Sequence, residues 1–217
     1  MRNTSQIAKI TARRWLAPRT FELSVQRPKG FDFSPGQRLR VIQPAGERDY
    51  SLASGVNDRE LALCIRLVDQ GRVSGFLSTC HIPTEIALKG PYGYFTFKPS
   101  TRQAIFVATG TGIAPFCAMV RSGISAFILL HGVPQSADLY YRNLLQSAAK
   151  TYIACVSNTE PGPKLIFQGR VTDYLEKHLS GGPYDFYLCG SRNMIRDVTR
   201  LVDKRFPDSL VYTEMFY

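Results

Sequence analysis

The sequence predicts two domains, an N-terminal antiparallel β-barrel followed by an α/β domain with a parallel sheet. Up to about Phe97, short β-rich runs alternate with turn residues, a spacing typical of antiparallel barrels. Beyond Lys98, continuous apolar runs alternate with helix-length segments, as buried parallel strands and their crossover helices do. A chain of 217 residues can hold both domains, and the change of pattern places them at residues 1–99 and 100–217.

The individual elements follow from the same patterns. In the first domain, strands are predicted over residues 7–10, 20–26, 37–43, 61–68 and 86–89, with one helix over 74–79. In the second domain, strands are predicted over 103–108, 126–130, 152–156 and 186–188. Helices are predicted there over residues 113–121, 138–149, 171–178 and 193–204.

Composition excludes several classes of protein. With 44% hydrophobic and 20% charged residues, the chain is globular and not intrinsically disordered. The longest uncharged apolar stretch, residues 104–120, is interrupted by glycines and by Pro115, so we expect no transmembrane helix. The N-terminal residues lack the apolar run of a secretory signal. We therefore expect a cytoplasmic protein.

Cysteine spacing and net charge narrow the choice further. The five cysteines include no CxxC pair, so we expect no disulfide framework, no structural zinc site, no iron–sulfur cluster and no other metal site. The net charge of +10 predicts an acidic partner, which by charge alone is a nucleic acid, an anionic surface or an acidic protein. The basic residues are scattered along the chain, which is also typical of a merely solubilising surface.

A glycine-rich turn is the strongest motif of the second domain. An apolar strand ending near Thr109 is followed by Gly110, Thr111 and Gly112 and then by a predicted helix. Glycines let a backbone approach a pyrophosphate, and a helix N-terminus offers N–H groups to hold it. The turn differs from the GxGxxG of standard dinucleotide folds, and such a turn can also be purely structural.

Two segments of the first domain have the residue types of an anion site. On an extended strand, Arg48 and Tyr50 share one face while Ser51 takes the other or starts a turn, so the strand offers a cation, a flat ring and a hydroxyl. Further along, Ser74 is predicted as the N-cap of the barrel's one helix, where free backbone N–H groups can hold a phosphate oxygen. Each segment alone has an ordinary structural explanation.

Taken together in chain order, these motifs resemble the ferredoxin–NADP reductase superfamily over nearly the whole chain. The matching pieces are Arg48-x-Tyr50-Ser51, Gly71-x-x-Ser74, Gly90-Pro91-Tyr92-Gly93-x-Phe95, Gly110-Thr111-Gly112-Ile113-Ala114-Pro115, Cys189-Gly190 and the ending Glu214-Met215-Phe216-Tyr217. The resemblance implies an FAD-binding barrel followed by a domain that binds NADP or NAD, with the flavin held between them.

The resemblance also assigns flavin-binding residues. It implies that Arg48 pairs with the FAD pyrophosphate, that Tyr50 stacks on the isoalloxazine and that Ser51 lies near its reactive N5. Asp49 belongs to the same segment and is included among the cofactor-binding residues. A segment assigned to the flavin's pyrimidine edge contains Cys64, Ile65, Arg66 and Leu67. A segment assigned to the pyrophosphate contains Arg72, Val73 and Ser74.

On the nicotinamide side, the resemblance implies that Thr111 contacts the coenzyme and that Cys189 lies near the carbon that releases hydride. Glu214 matches a family glutamate that handles a proton or orients nicotinamide. Plant-type members end in an aromatic ring that covers the flavin, a part that either Phe216 or Tyr217 can take here. Ser51, Cys189 and Glu214 are thus the expected catalytic residues.

Coenzyme choice departs from the family pattern. Members specific for NADP usually have a Ser-Arg pair after the third strand of this domain, whereas this chain has Ser157 and Asn158. Lys164 and Arg170 match other family positions that bind the 2′-phosphate. These residues favour NADPH slightly over NADH.

The resemblance implies an enzyme that transfers hydride between NAD(P)H and FAD and exchanges single electrons with a carrier such as a ferredoxin or flavodoxin, whose acidity suits the charge of +10. One alternative is a flavin-bearing relay subunit of a larger oxygenase or reductase complex that uses NADH. A remote alternative is a basic nucleic-acid-binding protein, for which the aromatic run from Tyr92 to Phe97 would supply base stacking.

Overall fold

The computed structural model describes residues 5–158 and 166–215, and the chain divides into two units. The first unit contains the chain up to Phe97 together with Ala114–Gly123. The second contains Lys98–Ile113 and the chain from Ile124 onward. A short helical segment of the second half of the sequence thus belongs with the first unit.

Six antiparallel strands form the sheet of the first unit. They are β1 (Gln6–Ala17), β2 (Thr20–Gln26), β3 (Arg38–Gln43), β4 (Gly46–Ser51), β5 (Glu60–Arg66) and β6 (Thr84–Tyr92), in the spatial order β4-β3-β6-β1-β2-β5. A bridge between Leu52 and Leu63 joins the two outer strands, and the Ala53 N–H donates to the Ala62 carbonyl oxygen at 2.8 Å. These contacts close the sheet into a barrel.

Two helices accompany the barrel, α1 (Arg72–Thr79) and α2 (Ala114–Arg121). The barrel core consists of inward-facing apolar side chains from alternate strand positions, and Val73 and Leu77 of α1 join it. At the end of α2, Arg121 Nη1 donates to the Ala53 carbonyl oxygen at 2.8 Å, and the Val56 N–H donates to Ser122 Oγ at 3.1 Å.

The turn before β3 depends on a glycine. Gly36 has φ +100, and a Cβ there would lie 1.8 Å from the Phe95 carbonyl oxygen and 2.9 Å from Met119 Cε. Two backbone segments therefore approach each other more closely than any side chain would allow.

The second unit is a six-stranded parallel sheet with helices. Its strands are β7 (Gln103–Thr109), β8 (Ile128–Val133), β9 (Thr151–Val156), β10 (Ile166–Gln168), β11 (Tyr184–Gly190) and β12 (Leu210–Met215), in the order β10-β9-β8-β7-β11-β12. The helices are α3 (Arg142–Ala148), α4 (Val171–His178) and α5 (Arg192–Arg205). The order reverses between β7 and β11, and in open α/β sheets ligands bind at the carboxyl ends of the strands at this point.

The predicted fold class is confirmed, while several element boundaries differ. The helix expected over 138–149 is interrupted because Tyr141 has φ +60, and α3 begins only at Arg142. The strand expected from Ala126 begins at Ile128, since Ala126 itself has φ +62. Strands β4, β10 and β12 were not among the predicted strands, because their residues are mostly half-exposed or exposed and carry no apolar run.

In the described residues, no helix is long and apolar enough to cross a membrane. Over the same residues no cluster of three metal-ligating side chains occurs, and no two of the five cysteines form a disulfide.

We expect Gly36→Ala to lower the free energy of unfolding by about 2–4 kcal/mol, because it combines left-handed backbone strain with a clash against backbone. Gly123 is a matched control, since it has φ +96 and nothing within 4 Å of a Cβ among the described residues. Gly123→Ala should cost about 1 kcal/mol, the strain alone. Urea unfolding of both variants measures the difference, and equal losses would contradict the clash.

Candidate functional site

Strand β4 divides its side chains between two faces, as the sequence predicted. Arg48 pairs in register with Val41, and Tyr50 pairs with Leu39, both of which are core residues of β3. Asp49 and Ser51 lie on the opposite face. The arginine and the tyrosine therefore lie side by side on one face, and the buried hydroxyl is on the other.

Arg48 and Tyr50 have contrasting surroundings. The Arg48 guanidinium is exposed, and its Nη1 donates to the Glu47 carbonyl oxygen over a long 3.4 Å. Tyr50 is half-buried against the barrel core. Burial raises the pKa of the Tyr50 phenol to about 12 although the nearby Arg48 charge opposes the rise, so the ring stays neutral. The strand offers an available cation beside a flat, neutral ring.

Asp49 is engaged by two arginines of β3. Its carboxylate accepts hydrogen bonds from Arg40 at 2.6 and 3.3 Å, and Arg38 Nε lies 3.4 Å away. The hydrogen bond from Arg40 lowers the pKa of the Asp49 carboxyl below its usual value. The three side chains help to line a cavity of about 530 Å³ with Gln37 and residues 91–94. The predicted contact of Asp49 with a cofactor stays a prediction.

Ser51 carries a buried hydroxyl that no described residue satisfies. The residue is 3% exposed, and its Oγ has no hydrogen-bond partner within the described ranges. The Oγ of Ser54 is likewise buried without a hydrogen-bond partner among the described residues. Buried hydroxyls are normally hydrogen-bonded, so an orphaned one beside a candidate site is an observation that a bound polar group would explain.

The N-terminus of α1 differs in one respect from the prediction. The helix begins at Arg72 with Gly71 as its N-cap, so the prediction that Ser74 caps it was wrong. Ser74 is the third helical residue, and its Oγ accepts from the Val68 N–H at 3.2 Å and donates to the Gly71 carbonyl oxygen at 3.4 Å. Because glycine has no side chain, it does not cap the backbone N–H groups of the first helical turn, and such groups are typical donors to an anionic ligand.

Strand β4 and helix α1 lie next to each other. A Cβ on Gly46 would lie 3.6 Å from Val73 Cγ2. The Arg48 strand and the uncapped helix terminus therefore belong to one region of the first unit, and α1 has no acidic residue in its first turn. One guanidinium next to several backbone donors is a set that fits the pyrophosphate of FAD.

The side of β5 that faces away from β2 offers two further backbone positions. The Leu67 N–H donates to the carbonyl oxygen of Arg19, directly before β2, so the backbone of this odd-numbered residue points toward β2. The carbonyl oxygen of the even-numbered Ala62 accepts from the Ala53 N–H, on the side away from β2. By the alternation of antiparallel ladders, the backbone groups of Cys64 and Arg66 point away from β2, whereas those of Ile65 point toward it. Of the predicted flavin-edge residues, these two have the suitable orientation.

In the second unit, the glycine turn follows β7 at the reversal of strand order. Residues Gly110–Ile113 form one 3₁₀ turn before α2, rather than the helix itself. A Cβ on Gly112 would lie 2.2 Å from the Cys189 carbonyl oxygen, and one on Gly190 would lie 2.2 Å from Thr109 Oγ1. The glycines thus let the turn touch the carboxyl end of β11.

Two hydroxyl residues that the sequence analysis missed hold this contact. Thr109 Oγ1 accepts from the Ser191 N–H at 3.0 Å, and Ser191 Oγ accepts from the Met194 N–H at 3.3 Å, which caps α5. A sequence signal was present, because each is a hydroxyl residue between an apolar strand and the next helical segment.

The structure brings two of the expected catalytic residues together. Cys189 and Glu214 are register partners on the adjacent strands β11 and β12, and both are buried. Burial, and secondarily the Glu214 charge, raises the pKa of the Cys189 thiol well above its usual value. The thiol is therefore a neutral group at the strand end, suited to packing or weak donation and not to nucleophilic attack.

Of the residues predicted to select the coenzyme, the structure describes Ser157, Asn158 and Arg170 but not Lys164. Ser157 and Asn158 are exposed directly after β9, and Arg170 is exposed immediately before α4. The Arg170 backbone N–H donates to Asp173 Oδ2 at 2.9 Å. Lys164, Phe216 and Tyr217 lie outside the described residues.

Comparison with known proteins gives two family matches in the same order as the two units. Residues 15–97 match the family described as Oxidoreductase FAD-binding domain. Residues 106–200 match the family described as Oxidoreductase NAD-binding domain.

Among curated relatives, the toluate 1,2-dioxygenase electron transfer component of Pseudomonas putida is 33% identical over 90% of this chain and 62% of its own length. The reductase component of the naphthalene 1,2-dioxygenase system of Pseudomonas putida is 32% identical over 90% of this chain and 64% of its own length. This chain spans about three fifths of the length of such relatives. Ferredoxin–NADP reductase B of Sorangium cellulosum is 31% identical over 89% of both chains.

Solved structures share the fold. A ferredoxin–NADP⁺ reductase from Neisseria gonorrhoeae with bound FAD and NADP superimposes with a TM-score of 0.84 at 20% identity, over 96% of this chain and 98% of the other. An Amycolatopsis cytochrome P450 reductase gives a TM-score of 0.85 at 24% identity, over 100% of this chain and 71% of the other. The two family matches and the relative that is 31% identical over 89% of both chains show that the chain belongs to the ferredoxin–NADP reductase superfamily, with FAD and NAD(P) as its cofactors.

Proposed function

We propose that this protein takes hydride from NAD(P)H onto FAD and passes single electrons to a separate acidic carrier such as a ferredoxin or flavodoxin. The flavin supplies the redox chemistry, since it accepts an electron pair and releases electrons one at a time. The observation that carries the proposal is the available Arg48 guanidinium beside Tyr50 and the uncapped terminus of α1.

In this proposal the first unit binds and orients the flavin. Arg48 and the first-turn N–H groups of α1 hold the pyrophosphate, and the neutral Tyr50 ring lies against the isoalloxazine. The orphaned Ser51 hydroxyl gains a hydrogen-bond partner at the edge of the ring. The outward backbone groups of Cys64 and Arg66 bind its pyrimidine edge.

The second unit binds the coenzyme at the reversal of strand order. The Gly110–Ile113 turn receives the pyrophosphate, because ligands of open parallel sheets bind at such a point. Cys189 and Glu214 line the strand end where nicotinamide would lie. Glu214 orients the carboxamide or handles a proton, and Cys189 fills the space beside the reacting carbon as a neutral group.

The residues favour NADPH slightly over NADH. Arg170 is an exposed cation before α4 and can pair with a 2′-phosphate, and Lys164 is a second candidate from the sequence. Asn158 can bind a ribose hydroxyl as easily as a phosphate, so the difference between the two coenzymes should be modest.

A second candidate function is an electron-relay subunit of an oxygenase system that uses NADH. It is favoured by the relatives named as electron transfer components of dioxygenases, which are longer than this chain. Both candidates require an electron carrier, and an acidic one suits the net charge of +10. The nucleic-acid alternative leaves the matched NAD-binding domain without a purpose.

The purified protein should absorb near about 450 nm through bound flavin and lose this band when NADPH is added without oxygen. An acidic plant-type ferredoxin should then be reduced, at a rate that falls as salt screens the charges. Flavin that neither NADPH nor NADH reduces would refute the proposal. Reduction that proceeds only in the presence of an oxygenase component would favour the relay subunit.

Arg48→Ala should weaken FAD binding by about 2–4 kcal/mol, because the pyrophosphate loses its guanidinium partner. Arg59→Ala is the matched control, since Arg59 is exposed at the start of β5, the opposite end from α1, and should leave affinity unchanged. Fluorescence titration of the FAD-free protein measures both. Equal affinity in the parent and Arg48→Ala would remove Arg48 from the site.

Ser51→Ala and Cys189→Ala should keep the flavin and slow its reduction by NAD(P)H roughly tenfold or more, because both residues lie along the expected hydride path. Ser54→Ala and Cys155→Ala are matched controls, the first another buried, orphaned hydroxyl and the second another buried thiol of the same sheet as Cys189. Stopped-flow reduction distinguishes them. Parental rates in Ser51→Ala and Cys189→Ala would exclude both from catalysis.

A further inference from the structure

Tyr140 places a hydroxyl at the glycine turn, although no motif singled it out. A Cβ built on Gly110 would lie 3.9 Å from the Tyr140 hydroxyl oxygen. Apart from the residues next to Gly110 in the chain, no other described residue would have an atom within 4 Å of that Cβ. The Tyr140 residue itself is 7% exposed. Its ring is therefore inside the protein while its polar end reaches the turn.

The three glycines of this region are not equivalent. Gly112 and Gly190 face backbone or side-chain atoms at 2.2 Å, so their lack of a side chain serves packing. Gly110 has φ +54, and in the part of the chain that the structure describes its Cβ would meet only the Tyr140 hydroxyl oxygen, at an ordinary contact distance of 3.9 Å. The space above Gly110, with the Tyr140 hydroxyl at its boundary, is thus the part of the turn left open to a ligand.

The position of the Tyr140 ring is fixed by buried neighbours. The His131 ring lies edge-on to it with centroids 5.9 Å apart, and the Tyr141 ring does so at the same distance. His131 is fully buried, and its Nδ1 is 3.0 Å from the Tyr152 hydroxyl. Burial lowers the pKa of His131 to about 3, so this support is neutral at physiological pH.

We propose that the Tyr140 hydroxyl donates a hydrogen bond to the pyrophosphate of the nicotinamide dinucleotide bound over Gly110. The inference rests on the proposed function and adds a binding residue to it. A fixed neutral donor beside a glycine at the carboxyl end of β7 meets a phosphate oxygen at no cost in side-chain ordering.

A purely structural role for Tyr140 makes different predictions. If the hydroxyl only stabilises the fold, its removal changes unfolding but not the relative affinity for ligands. If it binds the pyrophosphate, affinity falls for every ligand that carries this group. Tyr152→Phe is the matched control, because it removes a hydroxyl from the same aromatic cluster at a position that contacts His131 rather than Gly110.

The experiment measures dissociation constants of the FAD-loaded protein for NADP⁺, NAD⁺ and ADP-ribose by calorimetry, with thermal unfolding of each variant recorded in parallel. Tyr140→Phe should weaken the binding of all three ligands about tenfold, which corresponds to about 1.4 kcal/mol, and Tyr152→Phe should change it less than twofold. Gly110→Ala, which adds a methyl group beside the Tyr140 hydroxyl and leaves the tyrosine intact, should also weaken binding. Because φ +54 strains an alanine there, Gly123→Ala is the control for strain and should bind all three ligands like the parent.

Unchanged affinity in Tyr140→Phe, or equal losses in Tyr140→Phe and Tyr152→Phe, would overturn the inference while leaving the proposed function intact. If Tyr140→Phe unfolds, Gly110→Ala decides, since parental affinity there means that the open space holds no ligand. Failure of the parent protein to bind any of the three ligands would instead overturn the proposed function, and this inference with it.

Discussion

The second unit depends on the close approach of two backbones at the carboxyl ends of β7 and β11. Gly112 admits the Cys189 carbonyl oxygen at a distance no side chain tolerates, and Gly190 admits Thr109 in the same way. This contact places the turn directly against the strand end that carries Cys189, and Glu214 follows on the next strand. The buried thiol, the carboxylate and the glycine turn thus occupy one edge of one sheet because two glycines allow it.

In the first unit, the arrangement of the candidate site depends on the surroundings of its arginines. Arginines of β3 and β4 lie close in sequence and on adjacent strands, yet they have different surroundings. Arg40 is paired with Asp49 and Glu47, so it stabilises the outer face of the strand pair by neutralising carboxylates. Arg48 points to the other face, where its register partner is the apolar Val41 and not a carboxylate. The alternation of side chains along the strands thus separates an arginine that pairs with carboxylates from the one proposed to bind the cofactor.

The sequence sufficed for the fold class because buried strands and amphipathic helices carry strong apolar periodicity. It failed where backbone conformation overrode composition. Tyr141 and Ala126 adopt positive φ without being glycine, and no composition rule signals this. Ser74 looked like an N-cap by residue type, but its hydroxyl reaches back to Gly71 from inside the helix. The site segments were predictable as motifs, whereas the pairings of Asp49 with Arg40 and of Thr109 with Ser191 needed the register of strands distant in sequence.

The turn itself illustrates why a motif does not assign roles to its members. Gly110 and Gly112 are two residues apart and identical in sequence terms. Among the described residues, a Cβ at Gly110 would meet only the Tyr140 hydroxyl oxygen at 3.9 Å, whereas a Cβ at Gly112 would lie 2.2 Å from the Cys189 carbonyl oxygen. A methyl group at Gly112 would therefore disturb the contact between the turn and the end of β11, whereas a methyl group at Gly110 would not. A variant of this turn can therefore lose coenzyme binding in two physically separate ways. Alanine at Gly112 disturbs the contact that builds the site, whereas alanine at Gly110 leaves that contact in place but adds a methyl group beside the Tyr140 hydroxyl and the strain of a φ of +54.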